Sequence, residues 1–185
     1  MAAVIGLSVG LAAVIIKNLV HFIREALENS FQGEFTRFYI FILPIIGILL
    51  VVMYIKYVNR HSVGHGIPGV LFSISKNNGM MRSHNLYSSI ITSALTVGFG
   101  GSVGLEGPTV ATGGAIGSNV GKVLKLRYKE ITLLISCACA GAMSAIFKAP
   151  IAGIVFALEV IMLDLTMWAM IPLLIASASG ALTSY

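Results

Sequence analysis

The chain has 185 residues, of which 57% are hydrophobic and 10% charged, and its mean hydropathy is +0.93. Soluble domains carry about a quarter charged residues, so this composition excludes an ordinary soluble domain and points to an integral membrane protein. The net charge of +5 does not make a nucleic-acid interface: only Lys122, Lys125, Arg127 and Lys129 cluster, and positive-inside asymmetry of a membrane loop accounts for that.

Residues 1–23 are apolar apart from Lys17 and His21 and lack the charged leader and small-residue cleavage site of a signal peptide, so a retained helix over 1–27 is predicted. The mixed charges Arg24, Glu25, Glu28, Glu34 and Arg37 mark a solvated loop. A second helix is predicted over 36–57, a break over 61–68, a short helix over 69–75, a polar turn over 76–82 and a helix over 84–99. A glycine-rich break over 100–108 leads to a helix over 109–124, and a basic loop runs to Glu130. Helix 131–147, an interruption at 148–150, a short helix over 151–163 and a last helix over 166–185 complete the chain.

A bilayer core of about 30 Å needs roughly 20 apolar residues per crossing. Stretches 38–55, 83–103, 131–147 and 165–185 meet or approach that length, so several crossings are expected, in a plasma or inner membrane. At 1.5 Å per residue the helix over 151–163 reaches only about 20 Å and cannot span alone. Irregular backbone at membrane depth is tolerated only where protein buries it or a watery cavity lines it, so three breaks before short helices point to an internal binding site. The fold class is therefore all-α, with multiple tilted and broken helices in one transmembrane domain over 1–185.

Gly113, Gly117 and Gly121 recur every four residues on one helical face, which lets another backbone approach closely. No Lys-Ser/Thr pair closes the glycine-rich stretch, which argues against a phosphate cradle. Cys137 and Cys139 lie two apart, on different faces of a helix, and read as packing residues with no metal site.

Glu106 is the only carboxylate between Arg82 and Lys122, within Gly104-Leu105-Glu106-Gly107-Pro108. An intramembrane carboxylate is costly unless paired, hydrated or protonated. Pro108 suits a first helical turn, which puts Glu106 just before a helix N-terminus, where unpaired N–H groups and the dipole favour negative charge. Such a carboxylate either substitutes for an anion and leaves when protonated, making it gate and proton carrier, or is a glutamate held permanently by amides. Gly64-His65-Gly66-Ile67-Pro68 repeats the pattern, and His65 is either an anion contact or an ordinary loop residue. In the third break, Phe147 to Gly153, a short helix leads to Glu159; Glu159 and Asp164 are either proton relays or groups meeting water. No Ser/His, Cys/His or metal-ligand constellation accompanies Glu106, which argues against an enzyme.

These motifs resemble those of the ClC family of chloride channels and chloride/proton antiporters: Gly104 to Pro108 is similar to GxEGP, Gly64 to Pro68 to GSGIP, and Phe147 to Glu159 to the segment that follows them. The resemblance implies the first of the family's two inverted repeats, with the second absent from this chain. It implies Glu106 as external gating glutamate, and an anion path lined by His65, Gly66, Ile67, Gly104, Leu105, Gly107 and Pro108. It also implies chloride as the transported anion, no cofactor, and a homodimer whose interface uses the segments near 151–163 and from 166 onward. Two departures bear on function. His65 stands where the family places a serine, and Val160 occupies the position of the internal proton-accepting glutamate, with Glu159 one residue before it. A passive or proton-gated anion conductor is expected, against an antiporter with weak or unusual proton coupling or a non-conducting scaffold half.

Overall fold

The computed structural model describes residues 1–30, 36–59, 66–161 and 167–185, with the side chains at 30, 36–41, 59 and 167 left aside. Among the described residues there are eight α-helices and no strand: α1 (Ala2–Ser30), α2 (Thr36–Tyr54), α3 (Ile67–Lys76), α4 (Asn85–Gly98), α5 (Glu106–Val123), α6 (Tyr128–Phe147), α7 (Pro150–Phe156) and α8 (Met167–Thr183). Single π-helical turns, Ile55–Asn59 and Ala157–Ile161, extend α2 and α7.

Several boundaries differ from the sequence reading: α3 begins at Ile67 and not at 69, and α6 at Tyr128 and not at 131. The first helix runs to Ser30, so Arg24, Glu25 and Glu28 lie on helix and not in a loop; Arg24 and Glu28 pair at i,i+4 across 2.9 Å. Helix α5 begins at Glu106, not at 109. The Leu105 carbonyl accepts both the Thr109 N–H at 3.0 Å and the Thr109 hydroxyl at 2.7 Å, which makes Leu105 the cap. Pro108 is then the third helical residue, a place where a missing N–H costs nothing because first-turn amides have no intrahelical acceptor.

Among the described residues only two helices, α1 and α6, are long and apolar enough to cross a membrane. The expected stretch over 83–103 is shortened to the 14 residues of α4, because Gly100 takes a φ of +90° and turns the chain away.

Helix α6 is the hub, touching α1, α5, α7 and α8; twelve of its 20 residues are buried. Its small residues let neighbouring backbones come close. A methyl group on Gly117 would lie 2.8 Å from the Leu134 carbonyl oxygen, and one on Gly113 3.0 Å from that of Ala138, so the predicted glycine face of α5 packs on α6. On the far side Gly141 sits against Gly6 of α1 and Ala176 of α8. Cys137 and Cys139 are free and fully buried. They separate as helix geometry requires: Cys137 packs with Leu173 and Ala176, and Cys139 with Val70 and Val110.

The 77–84 turn is tied to α5 by side chains. Ser118, fully buried, accepts the Met81 N–H at 2.8 Å and donates to the Gly79 carbonyl at 2.6 Å. Ser83 donates to Asn119 at 2.9 Å, and Lys122 donates to the Met81 carbonyl. The start of α4 is thereby held beside the C-terminal half of α5, and the two helices run antiparallel.

Candidate anion site at two helix starts

Two helix starts meet in the middle of this arrangement. Gly66 caps α3 with φ 61° and ψ −133°, backbone angles that a side chain resists. A methyl group built there would lie 3.5 Å from the Cα of Gly107, in the first turn of α5. The GHGIP and GLEGP motifs, about 40 residues apart in sequence, are thus in contact. Each helix start leaves amides without intrahelical acceptors: those of Ile67 and Gly69 in α3, and of Glu106 and Gly107 in α5. Each also carries about half a positive charge, worth roughly 0.3–1 kcal/mol to a nearby anion and up to about 2 where water is partly excluded.

Glu106 is half-buried, and its side chain folds back over Gly104. A methyl group on Gly104 would overlap Oε2 and lie 2.8 Å from Cδ, so the resting carboxylate requires glycine at 104. No hydrogen bond or ion pair to the Glu106 carboxylate occurs among the described residues. Around Gly107 there is open space on the side where a Cβ would project. A carboxylate with no fixed partner among the described residues, next to amides at a helix start and open volume, can move when protonated or displaced.

A cavity of about 200 Å³ adjoins these starts, lined by Gly66, Gly104, Pro108 and Val103 on one side and by Ser89, Thr92, Ser93 and Thr96 of α4 on the other. The sequence reading missed these hydroxyls. Their signal is a polar i, i+3, i+4, i+7 pattern inside an otherwise apolar helix, the inverse of an amphipathic surface helix.

The other expected residues separate. Gly66, Gly104 and Pro108 line the cavity; Ile67 opens α3, Leu105 caps α5 and Gly107 faces Gly66. His65 and Asp164 lie outside the described residues. Glu159 is exposed on the π-helical turn after α7, while Val160 is half-buried and packs against the cluster of Val70, Ile74 and Val110. Neither lines the cavity beside Glu106. In the basic loop, Lys122 is engaged by the 77–84 turn and the Arg127 N–H donates to Glu130 at 2.9 Å, a structural arrangement at the start of α6. No group of three His, Cys, Asp or Glu side chains able to hold a metal occurs among the described residues.

Comparison with known proteins agrees with these features. The model of the family described as voltage gated chloride channel matches residues 47–185. The H(+)/Cl(-) exchange transporter ClcA of Vibrio vulnificus is 27% identical over 165 residues, 86% of this chain and 35% of the relative. ClcA of Vibrio campbellii is 28% identical over the same shares, and a ClcB-like protein of Ralstonia nicotianae is 27% identical over 75% of this chain and 33% of its own length. The chain spans about a third of the length of these relatives. With a match over well more than half of its residues, all-helical architecture and both glycine-proline motifs joined at one point, the chain belongs to the voltage-gated chloride channel family of integral membrane proteins.

Proposed function

We propose that this chain supplies the first of two inverted repeats of a multi-pass protein that conducts chloride passively or under proton control, with Glu106 as its gate. The observation that carries this reading is the contact of two helix starts at Gly66 and Gly107, with a Glu106 carboxylate folded onto Gly104 that has no partner among the described residues. In the ionised state the carboxylate occupies the positive end of α5 in competition with an anion; protonation removes its charge and releases the position. The names of the relatives support chloride as the anion. His65, in place of the small hydroxyl, tunes selectivity among anions.

The antiporter reading is the weaker one. Stoichiometric exchange needs an internal proton acceptor, and Val160 neither accepts nor donates a proton; it packs on an apolar cluster, and Glu159 points elsewhere. Positive-inside asymmetry puts the 122–129 loop on the cytoplasmic face. A homodimer is proposed through α7 and α8, where Ile151, Val155, Trp168 and Ile171 are exposed, with lipid covering what a second copy does not. The protein acts without a cofactor and as a transporter, not an enzyme.

The direct test is chloride efflux from liposomes containing the whole protein. Glu106→Gln mimics the protonated gate and is expected to raise flux and remove most of its pH dependence. Unchanged flux with an unchanged pH response would overturn the assignment.

A further inference from the structure

The turn over 76–82 and the loop over 122–130 are distant in sequence but form one surface. Tyr128 Oη donates to the Ile74 carbonyl at 3.1 Å near the end of α3, and Lys122 donates to the Met81 carbonyl. A methyl group on Gly79 would lie 2.8 Å from Cγ2 of Ile131 in the first turn of α6. Each turn is also closed by its own backbone: the Gly79 N–H bonds the Ser73 carbonyl at 2.8 Å, and the Leu126 N–H bonds that of Gly121 at 3.0 Å. Bonds of this kind fix how a helix ends, so the side chains of both turns project from a set framework.

Six of the chain's 12 Lys and Arg residues lie on this surface: Lys76, Arg82, Lys122, Lys125, Arg127 and Lys129. All but Lys122 are exposed, and none is in an ion pair among the described residues. The carboxylate of Glu130, which stands among them, is engaged by the Arg127 N–H at 2.9 Å. Helix dipoles add little net field, because α3 and α5 end here while α4 and α6 begin here and their opposite half-charges offset one another. The surface is positive through its side chains.

The cations are interleaved with exposed apolar groups. Phe72, Met80, Val123 and Leu124 are exposed, Val123 by 81%, and so are Tyr87 and Tyr128. Tyrosine is enriched where a membrane protein meets the headgroups, and Val123 and Leu124 directly precede Lys125. A water-soluble anion makes no use of apolar neighbours. A lipid does, with its phosphate on the cations and its chains along the apolar side.

We propose that the joined 76–82 and 122–130 turns bind the phosphate headgroup of an anionic lipid in the adjoining leaflet. The inference rests on the membrane placement of this face and not on the role of Glu106. A headgroup held between Lys76 and the Lys125 to Lys129 loop links the end of α3 to the connection between α5 and α6, and a ligand that binds only the folded protein stabilises it by mass action. Each Lys or Arg near an anionic bilayer surface strengthens the attraction about fivefold, so three of them together contribute a factor on the order of a hundred.

The test is lipid retention by the whole protein, purified in detergent and titrated with phosphatidylglycerol or phosphatidylcholine, with Kd read by native mass spectrometry and Tm followed in parallel. The native protein is expected to hold phosphatidylglycerol in preference to phosphatidylcholine and to gain Tm with the former. Lys76→Gln, Lys125→Gln and Lys129→Gln combined are expected to weaken phosphatidylglycerol binding about a hundredfold and to remove its effect on Tm. The three corresponding Lys→Arg changes retain both, as does Lys148→Gln at the opposite end of α6. If the triple variant does not assemble, Lys129→Gln alone is expected to weaken binding about fivefold. Equal retention of the two lipids, or native affinity in the assembled Gln variants, overturns the proposal. Displacement of phosphatidylglycerol by inorganic phosphate at matched ionic strength overturns it as well, since the surface is then a site for a soluble anion. Chloride flux in Glu106→Gln tests the gate separately, because that residue lies at the other end of α5 and its substitution leaves lipid retention unchanged.

Discussion

Gly104→Ala tests the resting position of the proposed gate, Glu106, without touching the carboxylate. The added methyl carbon would overlap Oε2 of Glu106 and lie 2.8 Å from its Cδ, where ordinary contact begins at 3.4 Å. The Cδ must retreat by about 0.6 Å and the oxygen further, which the end of a flexible side chain achieves by changing rotamer. Leaving a favoured rotamer costs about 0.5–1.5 kcal/mol, so the fold survives; the upper value, acting against the resting pose, lowers its population about tenfold. Chloride efflux from liposomes at neutral pH is therefore expected to rise, by as much as about tenfold, with a flatter pH profile. In a Glu106→Ala background the clash has no partner, and Gly104→Ala is expected to add nothing, a non-additivity that a double-mutant cycle reads directly. Native flux and pH profile in folded Gly104→Ala protein would refute the reasoning, as would equal effects in both backgrounds.

Ser118→Ala leaves the Met81 N–H and Gly79 carbonyl without their buried partner; a loss of about 1–3 kcal/mol is expected, read as a lower Tm of the solubilised protein, and an unchanged Tm would count against the clasp. Gly117→Ala drives a methyl group to 2.8 Å from the Leu134 carbonyl oxygen, and overpacking of this kind typically costs about 1–3 kcal/mol, again seen in Tm. His65→Ser is expected to change the permeability ratios among chloride, nitrate and fluoride; identical ratios would place that side chain away from the ion. A chloride gradient is expected to drive little uphill proton movement in the native protein, and Val160→Glu to increase it. Robust chloride-driven proton uptake that is lost in Glu159→Gln would make Glu159 the internal acceptor instead.

Much of this was legible in one dimension because it depends on local chemistry. Scarce charge and long apolar runs dictate membrane solvation for α1 and α6, since a helix satisfies its own backbone in lipid. The Gly/Pro punctuation marks helix starts because glycine admits the φ of Gly66 and proline fits a first turn; Glu106 declares itself as the lone carboxylate in such a start. The four-residue glycine spacing of α5 announces a close helix contact. Which helix fills that contact was not legible, because the identity of α6 as partner depends on packing across the whole bundle. Tertiary structure alone brought Gly66 onto Gly107, laid the Glu106 side chain over Gly104, and turned Glu159 outward while Val160 packed inward. It also turned the scattered serines and threonines of α4 into one wall of a cavity. A hydroxyl on a helix bonds its own backbone whether it faces lipid, protein or water, and only the neighbouring α5 decides which of these it meets.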